Sequence, residues 1–306
     1  MAAKRVIGVD VGGTKILAGL VDREGNVVAR HERPTPTTSE DALLTALDEA
    51  ISEVHEDDVA AVGLGIPSRI DQRDGCAVAS VNVPLEGVPL RDRMAERFSL
   101  PVGIDNDANA AAIAEWVFGA GKGARDIVML TLGTGVGGGL IVNGRPFRGA
   151  TGSGAELGHI VIEHDGPPCQ GTCTGRGHLE ALASGGAADR AARALYGDGA
   201  SGRELVTRAR EGDERAVEAL RTIGRYLGSG IATFVNTFEP ELVVLGGGFA
   251  SACSDLLIEP AREVLARDGL APGRDTVRIE PASLGADAGL VGAGLVAFEA
   301  VGELSA

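Results

Sequence analysis

Residues 5–15 read RVIGVDVGGTK, and residues 126–139 read DIVMLTLGTGVGGG. Each is a short apolar run that stops at glycines, the pattern of a buried strand entering a tight turn. Placing Asp10 on Thr131, an offset of 121 residues, aligns VDVGGT with LTLGTG. The same offset sets Val21-Asp22 on Val142-Asn143. Two strand–turn–strand–turn units of equal length point to an internal duplication.

Working outward from the first stretch, strands are expected at 5–10, at about 15–21 beyond Gly12-Gly13, and at 27–33 beyond a turn at Asp22–Asn26. Residues 40–54 carry apolar positions at helical spacing behind Ser39 as a possible N-cap. A buried strand at 59–66 ends at Pro67. A helix near 88–98, a strand at 101–105 and a helix at 108–118 complete a βββαβαβα order. The order restarts with a strand at 126–132, a glycine turn at 133–139, a strand at 139–142 and a turn at Asn143-Gly144. After an irregular stretch (144–178) helices are expected near 179–195, 203–211 and 214–237. A strand at 241–245 runs into Gly246-Gly247-Gly248, followed by a helix at 254–267, a strand at 276–279 and a last helix near 287–302. The α/β chain is thus expected to form two lobes, 1–120 joined by the last helix (288–306), and 121–287, with the boundary at FGAGKGAR (118–125).

Of 306 residues, 46 are glycine and only 3% are aromatic, against a usual glycine level near 7%. The 44% hydrophobic content supplies a core and excludes low-complexity disorder; the glycines have no period of three, which excludes collagen. The net charge of −15 opposes nucleic-acid binding, which rests on phosphate neutralisation by Lys and Arg. No apolar run reaches membrane-spanning length, and the apolar stretch after Lys4-Arg5 is too short for a signal peptide. Four cysteines make no disulfide framework, so a reduced, cytoplasmic protein is expected.

Three glycine clusters (12–13, 133–139 and 246–248) each follow a buried strand, where bare N–H groups can cradle phosphate. No Walker-A loop occurs. Gly133-x-Gly135-x-x-Gly138 matches a dinucleotide fingerprint, but strand residues rather than a helix follow it, so that reading fails. Asp10, Gly12, Gly13, Thr14 and Lys15 together offer a carboxylate, bare backbone, a hydroxyl and an amine, a set suited to a Mg²⁺-bound polyphosphate. Lys15 is one of only three lysines. In IDNDANAAA (104–112) either aspartate can serve as a helix cap; alternatively Asn106 and Asp107 can orient a hydroxyl and remove its proton. Glu156 and His159 stand three apart between glycines. Cys169, Cys173 and His178 at Cys-x₃-Cys-x₄-His spacing, with the earlier His159, form a zinc-capable set; idle thiols and loop histidines are the alternative. Cys76 and Cys253 read as small buried apolar residues.

In combination these motifs resemble the ROK family of repressors, open reading frames and sugar kinases, over nearly the whole chain. The matching stretches are DVGGTK (10–15), LGTGVGGG (132–139), VVLGGG (243–248), NDANAAA (106–112) and GAELGH (154–159). The resemblance implies a two-lobed ribonuclease-H-like (actin-like ATPase) fold and ATP-dependent phosphorylation of a hexose at the 6-hydroxyl, with glucose first. N-acetylmannosamine, fructose, mannose or allose as acceptor, and polyphosphate as donor, are the alternatives. It implies Asp107 as general base, and Asn82, Asn106, Glu156, His159 and Glu180 as sugar ligands. Asp10 would hold Mg²⁺ through water. Gly12, Gly13, Thr14, Lys15, Gly133, Thr134, Gly135, Gly246, Gly247 and Gly248 would line the ATP site. A structural Zn²⁺ would sit on His159, Cys169, Cys173 and His178, although the family's C-x-C-G-x-x-G-C-x-E loop is altered here: the cysteines are spread and His178 replaces the last one. A homodimer or higher homo-oligomer is also implied. Sugar-sensing regulators of the family carry an N-terminal helix-turn-helix, for which a first strand at residue 5 leaves no room.

Overall fold

The computed structural model of the chain describes residues 5–80 and 83–304, so Asn82 lies outside the described residues. Contacts divide the chain into two compact units. One holds the residues through Gly123, Pro146–Ala155 and the residues from Ala286 on; the other holds Ala124–Arg145 and Glu156–Gly285.

The first unit contains β1 (Arg5–Val11), β2 (Lys15–Asp22), β3 (Val27–Pro34), α1 (Glu40–Val54), β4 (Val59–Ile66), β5 (Ser68–Asp71), β6 (Cys76–Ser80), α2 (Leu90–Phe98), β7 (Val102–Asn106) and α3 (Asp107–Val117). Its sheet runs β3-β2-β1-β4-β7, with β1, β4 and β7 parallel and β2 and β3 antiparallel. The Ser39 hydroxyl caps α1 by accepting from the Ala42 N–H at 3.2 Å. The buried face of α1 (Leu43, Ala46, Leu47, Ala50, Ile51, Val54) has the three- and four-residue spacing of an amphipathic helix. The β5–β6 hairpin is an addition to the expected order. Its strands are only four and five residues long, too short for an alternation to show.

The second unit contains β8 (Ile127–Leu132), β9 (Val136–Ile141), α4 (Leu179–Ala183), α5 (Gly185–Tyr196), α6 (Gly202–Arg210), α7 (Glu214–Phe238), β10 (Leu242–Gly246), α8 (Gly247–Asp268), α9 (Gly273–Thr276) and β11 (Arg278–Pro281). The sheet order is β11-β10-β8-β9. Three expectations are corrected here. Gly137–Gly139 belong to strand β9, so the turn is only Gly133–Gly135. The helix expected at 179–195 is broken at Ser184, which caps α5 by accepting from the Ala187 N–H. Helix α8 starts at Gly247 and bends at Cys253, whose φ of −153° is non-helical.

The last helix, α10 (Ala288–Ala300), packs on the first sheet. Gly8, Gly63 and Gly103 are in register across β1, β4 and β7. A Cβ on any of them would overlap the carbonyl of Leu290, Ala293 or Val296 respectively. This glycine row lets the backbone of α10 lie directly against the strands, a close approach that no side chain permits.

Candidate active site

Parallel strands gather their C-terminal ends at one edge, where ligands collect in open α/β sheets. In the first unit the pairing register aligns Asp10 with Gly65 and Gly65 with Asp105. Beyond Asp10 the chain turns: the Gly12 N–H donates to the Lys15 carbonyl at 2.8 Å. Thr35 braces the turn, its hydroxyl donating to the Gly12 carbonyl (2.7 Å) and its N–H to the Thr14 carbonyl (3.0 Å). Gly13 and Thr14 are left exposed. Lys15 Nζ pairs with Glu32 at 2.9 Å. Asp10 is partly buried, and that burial pushes its pKa up, with Lys15 pulling the other way. Its carboxylate lies against the first turn of α10: a Cβ on Gly289 would stand 2.5 Å from Oδ2.

Asn106 closes β7 and is the N-cap of α3, its side-chain oxygen accepting from the N–H groups of Ala108 and Asn109. Its amide donates to the Ser68 carbonyl at 3.3 Å. The sequence left the cap open between the two aspartates; Asn106 takes that place. Asp107 is the first residue of α3, half-buried, with Oδ1 accepting from the Ala108 N–H at 2.8 Å.

In the second unit the turn between β8 and β9 is closed by the Gly133 N–H donating to the Gly135 carbonyl at 2.9 Å. The Gly133 and Thr134 carbonyls accept from Gly185 N–H (2.8 Å) and Gly186 N–H (3.1 Å), so the turn sits on the start of α5. Strand β10 is parallel to β8, with Gly246 opposite Thr131. Gly247 opens α8 at φ +85°, and a Cβ there would fall 2.5 Å from the Leu132 carbonyl oxygen. Glycine is therefore required both by conformation and by space. Glycine turns and a helix start thus meet at one sheet edge, the arrangement that presents N–H groups to anions.

His159, Cys169, Cys173 and His178 come together, with one donor atom from each lying within 4.8 Å of all the others. His159 lies in a 3₁₀ turn (Leu157–His159) and His178 is the N-cap of α4. Gly175 leaves room for the His178 ring. The two Nδ1 atoms are 3.2 Å apart, Cys169 Sγ is 3.7 Å from His159 Nδ1, and Cys173 Sγ is 3.6 Å from His178 Nδ1. A tetrahedral zinc at usual bond lengths gives edges of about 3.4 Å for N···N and about 3.6 Å for N···S. The donor set therefore fits zinc. Burial pushes the Cys169 thiol up to about 12, with Cys173 and Glu180 adding to the rise; a bound cation reverses that preference and favours thiolate.

Two carboxylates flank the cluster. Glu156 Oε2 is 3.9 Å from His159 Nε2, the ring nitrogen facing away from the cluster. Glu180 Oε2 accepts from the Val136 N–H at 3.0 Å, while Oε1 lies 3.5 Å from Cys169 Sγ. A Cβ on Gly135 would overlap that carboxylate.

The first unit therefore assembles Asp10, Gly12, Gly13, Thr14, Lys15, Asn106 and Asp107. The second sets Gly133, Thr134 and Gly135 next to Glu180, holds Gly246, Gly247 and Gly248 at the end of β10 and the start of α8, and gathers His159, Cys169, Cys173 and His178 into one cluster flanked by Glu156 and Glu180. Two supporting residues carry no recognisable motif in the sequence. Arg148 pairs with the buried Asp105, and Gln170 holds the second glycine turn. Only the polar residue following Cys169 hinted at the latter.

The family model of the ROK family matches residues 6–300. A glucokinase of Streptomyces coelicolor is 38% identical, covering 96% of this chain and 97% of that protein. The ROK hexokinase of Thermus thermophilus superposes with a TM-score of 0.85 at 37% identity, over 97% of this chain and 99% of that one. A ROK family glucokinase from Streptomyces griseus, solved with glucose and AMPPNP, gives a TM-score of 0.82 at 35% identity, over 96% and 99%. Motifs, fold and full-length similarity agree, and the chain belongs to the ROK family.

Proposed function

We propose that this protein is an ATP-dependent hexokinase whose substrate is glucose. The observation that carries the reading is full-length similarity to glucokinases, including one solved with glucose and AMPPNP. It is supported by an acid at the first position of α3, which the family resemblance makes the base.

Asp107 accepts the proton of the sugar 6-hydroxyl as that oxygen forms a bond to the γ-phosphorus. The bond from phosphorus to the β–γ bridging oxygen breaks, and ADP leaves. Gly13, Thr14, Thr134 and Gly135 offer backbone N–H groups to phosphate oxygens, and Gly12, whose own N–H closes the turn onto the Lys15 carbonyl, lets the backbone approach them; preorganised donors stabilise charge developing in the transition state. Lys15, paired with Glu32, adds positive charge beside the first turn. Gly246–Gly248 line the adenosine side. Asp10 would hold Mg²⁺ through water: it is a carboxylate whose charge is disfavoured by burial, and a divalent ion offsets that cost. Glu156, His159, Glu180 and Asn106 bind sugar hydroxyls, together with Asn82. His159, Cys169, Cys173 and His178 would hold structural zinc, which supplies fold to this loop and no chemistry to the transfer.

Among the described residues no helix is long and apolar enough to cross a membrane; cytoplasmic location and a homo-oligomeric state complete the proposal. The test is ADP release across a panel of hexoses with ATP and polyphosphate as donors. Turnover with glucose and ATP is expected. No ADP from any hexose would overturn the reading in favour of a sugar-sensing regulator without catalysis.

A further inference from the structure

Gln170 follows Cys169 directly, and its side chain leaves the Cys/His cluster for the second glycine turn. Its Nε2 lies 2.9 Å from the hydroxyl of Ser184, 3.2 Å from the carbonyl of Glu180 and 3.3 Å from the carbonyl of Thr134. Two amide protons thus serve three acceptors. Ser184 is fully buried and caps α5. The Thr134 carbonyl also accepts from the Gly186 N–H at 3.1 Å, and a Cβ on Gly186 would overlap Gln170 Oε1. The half-buried amide therefore has its donor end held on three oxygens. The backbone at Cys169 is fixed in turn, its N–H donating to the Gly175 carbonyl at 2.9 Å.

We infer that Gln170 is a positioning residue that couples the Cys/His cluster to the Gly133–Gly135 turn, so that metal on the cluster strengthens nucleotide binding. The inference rests on the reading of that turn as phosphate-binding. A metal ion that fixes Cys169 also fixes the backbone from which Gln170 reaches. The direction of the N–H groups in the turn depends on where its carbonyls are anchored, and the Thr134 carbonyl is anchored by this amide together with the Gly186 N–H. Without the ion, the loop that carries Gln170 is held by backbone hydrogen bonds alone, among them Cys169 N–H to the Gly175 carbonyl and Cys173 N–H to the Gln170 carbonyl, and holding the long side chain's amide in place costs rotamer freedom.

The experiment titrates Mg·ADP and, separately, glucose into zinc-loaded and zinc-stripped protein by calorimetry, with zinc content measured in each sample. Wild type, Q170A, Q170E and T134D are compared. In the zinc-loaded state Q170A and Q170E should each weaken ADP binding roughly three- to tenfold, the worth of one hydrogen bond. Their glucose affinity should stay at the wild-type value, because Gln170 is assigned no sugar contact. Q170E keeps the size of the side chain and removes the donor, so a purely steric role would leave it like wild type. Stripping zinc should weaken ADP binding in wild type and add little in Q170A, since coupled contributions are not additive. If zinc-free protein loses its circular-dichroism signal, the two zinc-loaded Gln170 variants decide the matter. T134D separates the two layers of argument. Should T134D bind ADP as wild type does, the phosphate reading falls and the coupling with it. Should T134D lose ADP while Q170A keeps it, the coupling alone is overturned.

Discussion

Arg148 donates from Nε to the carboxylate of Asp105 at 2.6 Å while its terminal nitrogens reach both oxygens of Glu299, at 3.0 and 2.5 Å. Asp105 is fully buried and stands two residues before Asp107. Its other oxygen accepts from the Asn106 N–H at 2.8 Å and the Asn109 amide at 3.0 Å. One guanidinium thus ties the Pro146–Ala155 segment to the end of β7, the start of α3 and the end of α10. Removing one partner of a buried pair leaves an uncompensated charge and costs about 3–5 kcal/mol. Arg148→Met is expected to lose that much stability in denaturant unfolding and to lower kcat. The double variant with Asp105→Asn should lose less than the sum of the singles, because the two groups share one interaction. A fully stable Arg148→Met protein would show that the clamp contributes nothing.

Asp107 gives the most direct test of the chemistry. General-base help is worth about 10²–10⁴ in rate, so Asp107→Ala should lose at least about 10² of kcat. Folding and glucose binding should persist, measured by thermal unfolding and calorimetry. Turnover near the wild-type rate would remove Asp107 from the mechanism.

Asp10 predicts a pH dependence of stability. Burial raises its pKa in the folded state, so between the unfolded value, about 3.9, and the raised folded value the native state binds more protons than the unfolded one. The slope of unfolding free energy with pH is then negative. Stability from this group is fully present below the unfolded pKa and is lost as pH rises through the folded one. Without Mg²⁺ or nucleotide, Asp10→Asn should therefore raise Tm at pH 7, and the gain should vanish near pH 3. Equal melting curves for both proteins at pH 7 would contradict the burial argument.

The sequence made much of this site legible because its chemistry is local. DVGGTK, NDANAAA and the Cys-x₃-Cys-x₄-His spacing each lie within one loop or one strand end, and the structure places them as such. The row of Gly8, Gly63 and Gly103 was not legible. Single glycines on three strands read as punctuation until the register aligns them under α10. Arg148 escaped for the same reason, since its partners lie 43 and 151 residues away. Composition cannot tell a glycine turn from a glycine-rich strand, so the run 133–139 reads as one turn in the sequence. Pairing of Gly137–Gly139 with Met129–Thr131 in β8 decides it.

The Cys/His cluster predicts one equivalent of zinc in protein purified without chelators. Cys173→Ser should lower zinc content and stability together, because binding energy at such a site is folding energy. His178→Cys should retain zinc, since a thiolate serves equally as a fourth ligand. Elemental analysis with melting temperatures before and after chelation checks both. Zinc-free wild type that melts at the same temperature as untreated protein would exclude a structural metal.

Gly289 predicts a defect traceable to one carboxylate. A Cβ there would stand 2.5 Å from Oδ2, 2.7 Å from Cγ and 3.0 Å from Oδ1 of Asp10. Those separations are well inside contact distance, so either the carboxylate or the start of α10 must move. The backbone of α10 is held along the glycine row of the sheet, and the Asp10 side chain is the softer of the two. Gly289→Ala should therefore turn the Asp10 carboxylate away and raise the Mg·ATP KM, leaving the glucose KM near wild type. Alanine is the better helix former by about 1 kcal/mol, so loss of stability cannot be the cause of the defect if Tm holds or rises. In an Asp10→Ala background the same change should have no further effect on the Mg·ATP KM, because the group it displaces is gone. Steady-state kinetics of the two singles and the double measure this. Additive effects would place the influence of Gly289 elsewhere than on Asp10.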